Sequence, residues 1–115
     1  MNVTEDSFFA VLTTSGVSMP AVPAGVVRSI RSISFTNNDT AEDGQAVHLA
    51  HAKVTRSGAT YSIVEPMEVK QRDGARAGHV GSGILKAGDV LRLYASTSSR
   101  ITAWVSFHDR EVPAE

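Results

Sequence analysis

The side chains able to do acid–base or metal chemistry are four histidines, His48, His51, His79 and His108, and 12 carboxylates. A metal site needs several such groups brought together at matched spacing. His48 and His51 are three residues apart, which in an extended chain places them on opposite faces. They cannot share one ion without a bulge. His79 lies among glycines and His108 precedes Asp109, so both read as surface or hydrogen-bonding groups. The run "NNDTAEDG" at 37–44 carries oxygens of the kind calcium binds. It lacks the ligand order and closing Glu of an EF-hand, so a solvated surface loop is expected. A glycosidase needs two carboxyls facing one cleft, and the sequence offers candidates without a pairing. Asp89 follows Gly88 and is expected to accept nearby backbone N–H groups in a turn. "GARAGHVGSG" at 74–83 has four glycines but no helix after them, so it reads as loop hinges rather than a phosphate cradle. No catalytic, cofactor-binding or metal-binding residue is assigned, no cofactor is expected, and the chain is not expected to be an enzyme.

Charge narrows the partners. Lys and Arg number 11 and Asp and Glu 12, a net charge of −1. Such balance supplies no field to draw in a polyanion, so nucleic acid is not expected as a partner. Arg28 and Arg31 flank Ile30, and Arg92 lies near Tyr94, but aromatic residues make up only 6% of the chain, too few for a base-stacking platform. Cysteine is absent, which excludes a disulfide framework, a thiolate nucleophile and Cys-based zinc. Synthesis in a reducing cytosol is expected. "MNVTEDSFF" has acids where an export signal needs bases, and no segment is long enough to cross a membrane as a helix, so neither export signal nor membrane partner is expected.

The elements that must position these groups are short. Turn signals recur at 15–25, 36–45, 56–58, 72–78, 86–89 and 96–99, and between them lie segments rich in Val, Ile, Phe, Thr and Tyr. That layout predicts an all-β fold: an antiparallel, jelly-roll-like β-sandwich of about seven or eight short strands. A chain of 115 residues suits a single domain, 1–115. Within it, 1–20 is expected as an N-terminal strand or docking segment and 111–115 as a flexible tail. "ITAWVSFHD" alternates cleanly, with Ile101, Ala103, Val105 and Phe107 on one face and Thr102, Trp104, Ser106 and His108 on the other. "VLRLYAST" alternates too, and the "STSS" between the two predicts a hairpin. In "AGVVRSIRSISF", Ile30 precedes Ile33 by three, a spacing a helical turn could explain, but the Val, Ile and Ser content favours a strand with a bulge or a change of face near Ser32. Pro66 predicts a break or an edge strand. Asp43-Gly44 and Asp73-Gly74 predict tight corners.

Four aromatic residues are candidates for contact with other molecules: Phe8, Phe9, Tyr94 and Trp104. Phe8 and Phe9 point to opposite faces if extended, so one of them is free to leave the core. Trp104 is expected in the core or at a subunit interface rather than against a ligand.

The segments "VPAGVVRSIRSISFTNNDTAEDGQAVHLAHAKV" and "ILKAGDVLRLYASTSSRITAWVSFHDRE" follow an order of features that resembles small bacteriophage virion proteins with β-sandwich folds. The likeness spans residues 22–111, and the closing "VSFHDRE" departs from the small-residue ending of that pattern. What it implies is a structural part of a tail, neck or capsid surface. Such a part is made in the host cytoplasm, forms symmetric oligomers, often trimers, and binds other virion structural proteins. It transfers no catalytic residue. A carbohydrate-binding sandwich, with Trp104 or Tyr94 as platform and the 36–45 loop supplying polar contacts, is the alternative.

Overall fold

Along the central strands, as in 101–107, every second side chain is buried, and this alternation organises the described residues. The computed structural model describes residues 3–71, 74–77 and 83–112. Nine strands run in order through them: β1 (Val3–Val11), β2 (Val17–Ser18), β3 (Val26–Asn37), β4 (Val47–Arg56), β5 (Ala59–Lys70), β6 (Gly74–Arg76), β7 (Ile84–Leu85), β8 (Val90–Ala95) and β9 (Ile101–Glu111). One sheet has the order β1-β9-β3-β6, with β7 also on β3, and the other has β2-β8-β4-β5. These strands pair antiparallel. Apart from the β4–β5 hairpin and the short β6 and β7, successive strands pass from one sheet to the other, which is jelly-roll topology. The count exceeds the expected seven or eight because β2, β6 and β7 are only two or three residues long.

The core is the set of inward side chains. Ile30, Ile33, Phe35, Ile101, Ala103, Val105 and Phe107 come from one sheet, and Ala50, Ala52, Val54, Leu91, Leu93 and Ala95 face them from the other. Each fully buried Leu, Ile or Phe stabilises the sandwich by roughly 1.5–3 kcal/mol relative to exposure. The small alanines of β4 let the sheets approach closely. The spacing of Ile30 and Ile33 is reconciled by a register shift against β9 between Ile30 and Ser32, so both isoleucines point inward. Pro66 lies within β5, which is an edge strand, where its missing N–H leaves no ladder bond unmade.

Two expectations are corrected. The β8–β9 hairpin does not form: β8 pairs with β2 and β4, whereas β9 pairs with β1 and β3. Residues 96–99 instead cross from sheet to sheet. Ser96 N–H donates to the Leu49 carbonyl on one side, and Ser99, at φ 67°, donates to the Leu12 carbonyl on the other. Two amphipathic strands can bury their apolar faces side by side or face to face, and alternation alone does not distinguish the two. Here both have apolar stripes long enough to cover one another. Residues 111 and 112, expected in a flexible tail, are instead held in the fold: Glu111 pairs with Val26 and Val112 N–H donates to the Gly25 carbonyl. Residues 113–115, His79 and the corner residue Asp73 lie outside the described residues.

Candidate functional site

The acids, amides and histidines singled out above are mostly tied into the fold. Asn37 is buried at the end of β3 and donates its amide to the carbonyls of Ala46 and Val69, at 3.1 and 2.8 Å. Its Oδ1 accepts from Asp39 N–H, and Gln71 bridges from below, accepting from Ala46 N–H and donating to the carbonyls of Asp39 and Ala41. Asp39 accepts from Ala41 N–H and lies 2.7 Å from His48 Nε2. The bond to His48 holds the Asp39 carboxyl below the usual carboxylate range, against partial desolvation. In the loop expected to be solvated surface, Asn37, Asp39 and Asp43 thus each turn an oxygen onto the loop's own backbone, and Asp39 turns its other one to His48. Among the described residues no group of three or more His, Asp or Glu side chains is placed to hold a metal ion.

The other charged pairs have the same character. Arg28 is buried, makes a bidentate bond to Asp109 at 2.8 and 3.0 Å, and lies 4.4 Å over the Phe107 ring. Asp89 is buried in the turn before β8, accepts from Lys86 N–H and pairs with Arg56 at 2.6 Å. The Arg56 bond lowers the Asp89 pKa, and Asp89 in turn raises that of Arg56. The expected turn role of Asp89 is therefore present, with a cation added that sequence spacing did not reveal. Arg56 also stands at the rim of a cleft of about 570 Å³ whose wall includes Ile30, Val54, Tyr61, Ile63 and Leu85. Its lining comes from β3, β4, β5 and β7.

The four aromatic candidates separate into three environments. Phe8 turns toward the core and packs partly buried against it. Phe9 points the other way and is 61% exposed, on the outer face of the first sheet. It lies directly opposite Trp104 in the β1–β9 register. The two rings stack with centroids 4.8 Å apart and planes at 21°. Trp104, 49% exposed, is therefore not a core residue, because the outer face of its sheet has no layer over it. Val11 is exposed two positions along β1 on the same face, and Val3 is exposed toward its other end. Ser34 faces Trp104 from β3, while Thr102 and Ser106 precede and follow it by two in β9. The result is an apolar stack set among hydroxyls, on a strand pair whose outer member, β1, has no strand beyond it. The two exposed valines were not singled out from sequence, although their alternation with Phe9 along β1 was a usable signal.

Tyr94 lies on the outer face of the second sheet and does not join Phe9 and Trp104. It stacks on His51 with centroids 4.6 Å apart and planes 3° apart. Lys53 and Arg92 lie 5.5 and 5.7 Å from its ring centre. Arg92 further donates to the Ser15 carbonyl and to Ser18 Oγ, fastening the segment before β2 over the ring. Burial and then Lys53 lower the His51 pKa. As expected, His48 and His51 face opposite sides of β4, one toward Asp39 and the other against Tyr94.

No protein-family model matches the chain, and no curated protein matches it. Among solved structures, the chain is similar to a protein of Bacillus endospore appendages, described as forming a novel family of disulfide-linked pili. The similarity covers 96% of this chain and 89% of that one, with a TM-score of 0.53 and 7% sequence identity. At that identity the likeness concerns the fold: two stacked antiparallel sheets.

Proposed function

We propose that this protein is a non-enzymatic building block that binds copies of itself and other structural proteins through the outer face of its β1–β9 strand pair. The observation that carries this reading is the exposed Phe9–Trp104 stack beside Val11. Aromatic side chains held rigid on a sheet and left facing solvent are what anchors a protein–protein contact. The polar groups best suited to chemistry are bound to structural partners: Asp39 to His48, Asp89 to Arg56 and Asp109 to Arg28. The pilus protein of similar fold offers a precedent for assembly, but this chain has no cysteine and would hold its neighbours by non-covalent contact. In the setting implied by the sequence resemblance, the assembly is a bacteriophage tail, neck or capsid surface.

The test is the mass of the purified protein in solution, followed by Phe9→Ala and Trp104→Ala. An oligomer is expected, and each substitution should weaken it at least tenfold, in line with about 2 kcal/mol for an anchoring aromatic. A monomer at all concentrations that also binds no structural partner would sink the proposal.

A second reading rests on the hydroxyls around the stack. Trp104 with Ser34, Thr102 and Ser106 presents a ring flanked by donors and acceptors, an arrangement that suits a sugar. Glycan-array binding lost in Trp104→Ala, with the protein remaining monomeric, would favour it over assembly.

A further inference from the structure

We propose that the free edge of β1 is a symmetric pairing site for a second copy of this chain. The two β1 strands would run antiparallel, with Ser7 facing Ser7 of the second copy. This rests on the assembly reading above and adds to its outer-face contact a second one, at the edge of the same strand pair.

The backbone indicates which groups are unpaired. Leu12, just past β1, donates its N–H to the Ile101 carbonyl beside β9. In an antiparallel pair the bonding alternates residue by residue. Even-numbered residues of β1 therefore bond β9, and Val3, Glu5, Ser7, Phe9 and Val11 turn their N–H and C=O groups to the open edge. Ser7 N–H agrees, since it takes no strand partner and is met by its neighbour, Asp6 Oδ1, at 2.8 Å. Among the described residues no strand covers this side of the first sheet, and the strand at the same side of the second sheet, β2, is only two residues long.

Charge and pattern then select the occupant and the register. A twofold axis normal to the sheet keeps each side chain on its own face, so residues facing one another must be separated by an even number of positions. Ser7 is the midpoint of Val3–Val11, and centring the axis there pairs the whole strand with its copy. Val3 then meets Val11, Glu5 meets Phe9, and Asp6 meets Phe8. Each acid is opposite an aromatic residue, and the two exposed valines are opposite each other. Sliding the axis to Asp6 or Glu5 sets like charges face to face and shortens the overlap, and so does parallel in-register pairing, each of which is unfavourable. The acids that guard this edge against indiscriminate strand addition thus disfavour registers shifted toward Val3, and the shorter overlap disfavours those shifted toward Val11. Pairing centred on Ser7 would bond every odd-numbered residue and join the two first sheets into one continuous sheet. It also lays the arm of Glu5 from the second copy beside the Phe9 ring.

The absence of native cysteine makes introduced thiols unambiguous. Thr4 and Ala10 face each other between copies at a non-hydrogen-bonded pair, where Cα atoms approach to about 4.5 Å, within disulfide reach. Thr4→Cys and Ala10→Cys proteins, tagged to differ in mass, are mixed and oxidised. The mixed disulfide is expected to exceed either self-linked product about fivefold or more. Predominant self-linking of Thr4→Cys means parallel pairing and overturns the proposal. An oligomer without the mixed disulfide overturns the edge geometry and leaves the assembly reading standing, whereas a monomer that binds no structural partner overturns both. Because Ala10 packs against the core, Ser7→Pro provides an independent measurement on an otherwise native chain. It removes an N–H that the β1–β9 ladder does not use, so a folded protein with at least tenfold weaker dimerisation is expected. Unchanged dimerisation of Ser7→Pro, measured by sedimentation, would refute the pairing.

Discussion

The two outward aromatic pairs, Phe9–Trp104 on one sheet and His51–Tyr94 on the other, are built alike and used differently. Both are cross-strand neighbours in register, and both stack with ring centres under 5 Å apart. Around Tyr94 the chain supplies its own cover: Lys53 and Arg92 approach the ring, and Arg92 ties down Ser15 and Ser18. Around Trp104 it supplies hydroxyls and an open strand edge. An aromatic ring on a sheet surface is therefore not in itself a binding signal. What distinguishes a binding anchor from a structural clamp is whether neighbouring loops close over the ring. On this measure Tyr94 is covered by its own chain, and Phe9 and Trp104 are the rings left facing solvent.

The largest effect should come from disturbing the cover over Tyr94. Gly16 sits at φ +93°, and a Cβ there would come within 2.6 Å of Arg92 Nε and 2.7 Å of Tyr94 Cε2. The Tyr94 ring and the Arg92 side chain would both have to move out of their contact, and the positive φ adds strain for any other residue. Gly16→Ala is expected to destabilise the protein by about 2–4 kcal/mol, read from urea unfolding. A loss below about 1 kcal/mol would mean that the segment before β2 is not held against the ring. The same substitution at Gly25, whose Cβ would meet nothing within 4 Å, carries only the backbone strain and should cost less.

Next in size is the contrast between the two aromatic residues themselves. Tyr94→Ala removes a half-buried ring with three partners and should cost about 1–3 kcal/mol of stability. Trp104→Ala removes a ring with one stacking partner and should cost under about 1 kcal/mol while abolishing most self-association. Thermal unfolding and light scattering on the two variants separate the roles. Equal losses of stability would erase the distinction between clamp and anchor.

Much of this fold was legible because burial on one face writes a two-residue period into the chain. Ile101–Phe107 shows it, as do Leu91–Ala95 and the small face Ala50–Val54. The bulge near Ser32 and the edge position of Pro66 were also among the readable alternatives, since each breaks the period or the ladder in a way few structures accommodate. The sheet assignment of β8 and β9 was not, because a short polar connection serves a hairpin and a sheet-to-sheet crossing equally well. What settles it is long-range, namely the bonds of Ser96 to Leu49 and Ser99 to Leu12. For the same reason sequence could name Trp104 and Tyr94 but not separate them. The residues that cover one and spare the other, Arg92 with Ser15 and Ser18, are brought together only by the fold. Phe8 and Phe9 were separable in advance, because adjacent residues of a strand must take opposite faces.

The smallest effect expected is a pH dependence confined to the clamped side. Burial and Lys53 push the His51 pKa below its ordinary value, which is about 6.5 in an unfolded chain. The unfolded state then binds a proton more readily than the folded one. His51 leaves stability intact above about pH 6.5 and erodes it as pH falls through that value toward the lower folded pKa. Asp39 and Asp89, whose folded pKa values are also lowered, act in the same direction but only near and below the ordinary carboxylate range of about 4. The window between about pH 5 and 6.5 therefore separates His51 from both acids. His51→Phe keeps a ring against Tyr94 and removes the proton. Urea unfolding at pH 7.5 and 5.5 should show a smaller loss on acidification in this variant than in the native chain, since the other histidines are common to both. Identical losses would place the pH sensitivity elsewhere, and the His51–Tyr94 stack would then differ from Phe9–Trp104 in cover alone and not in electrostatics.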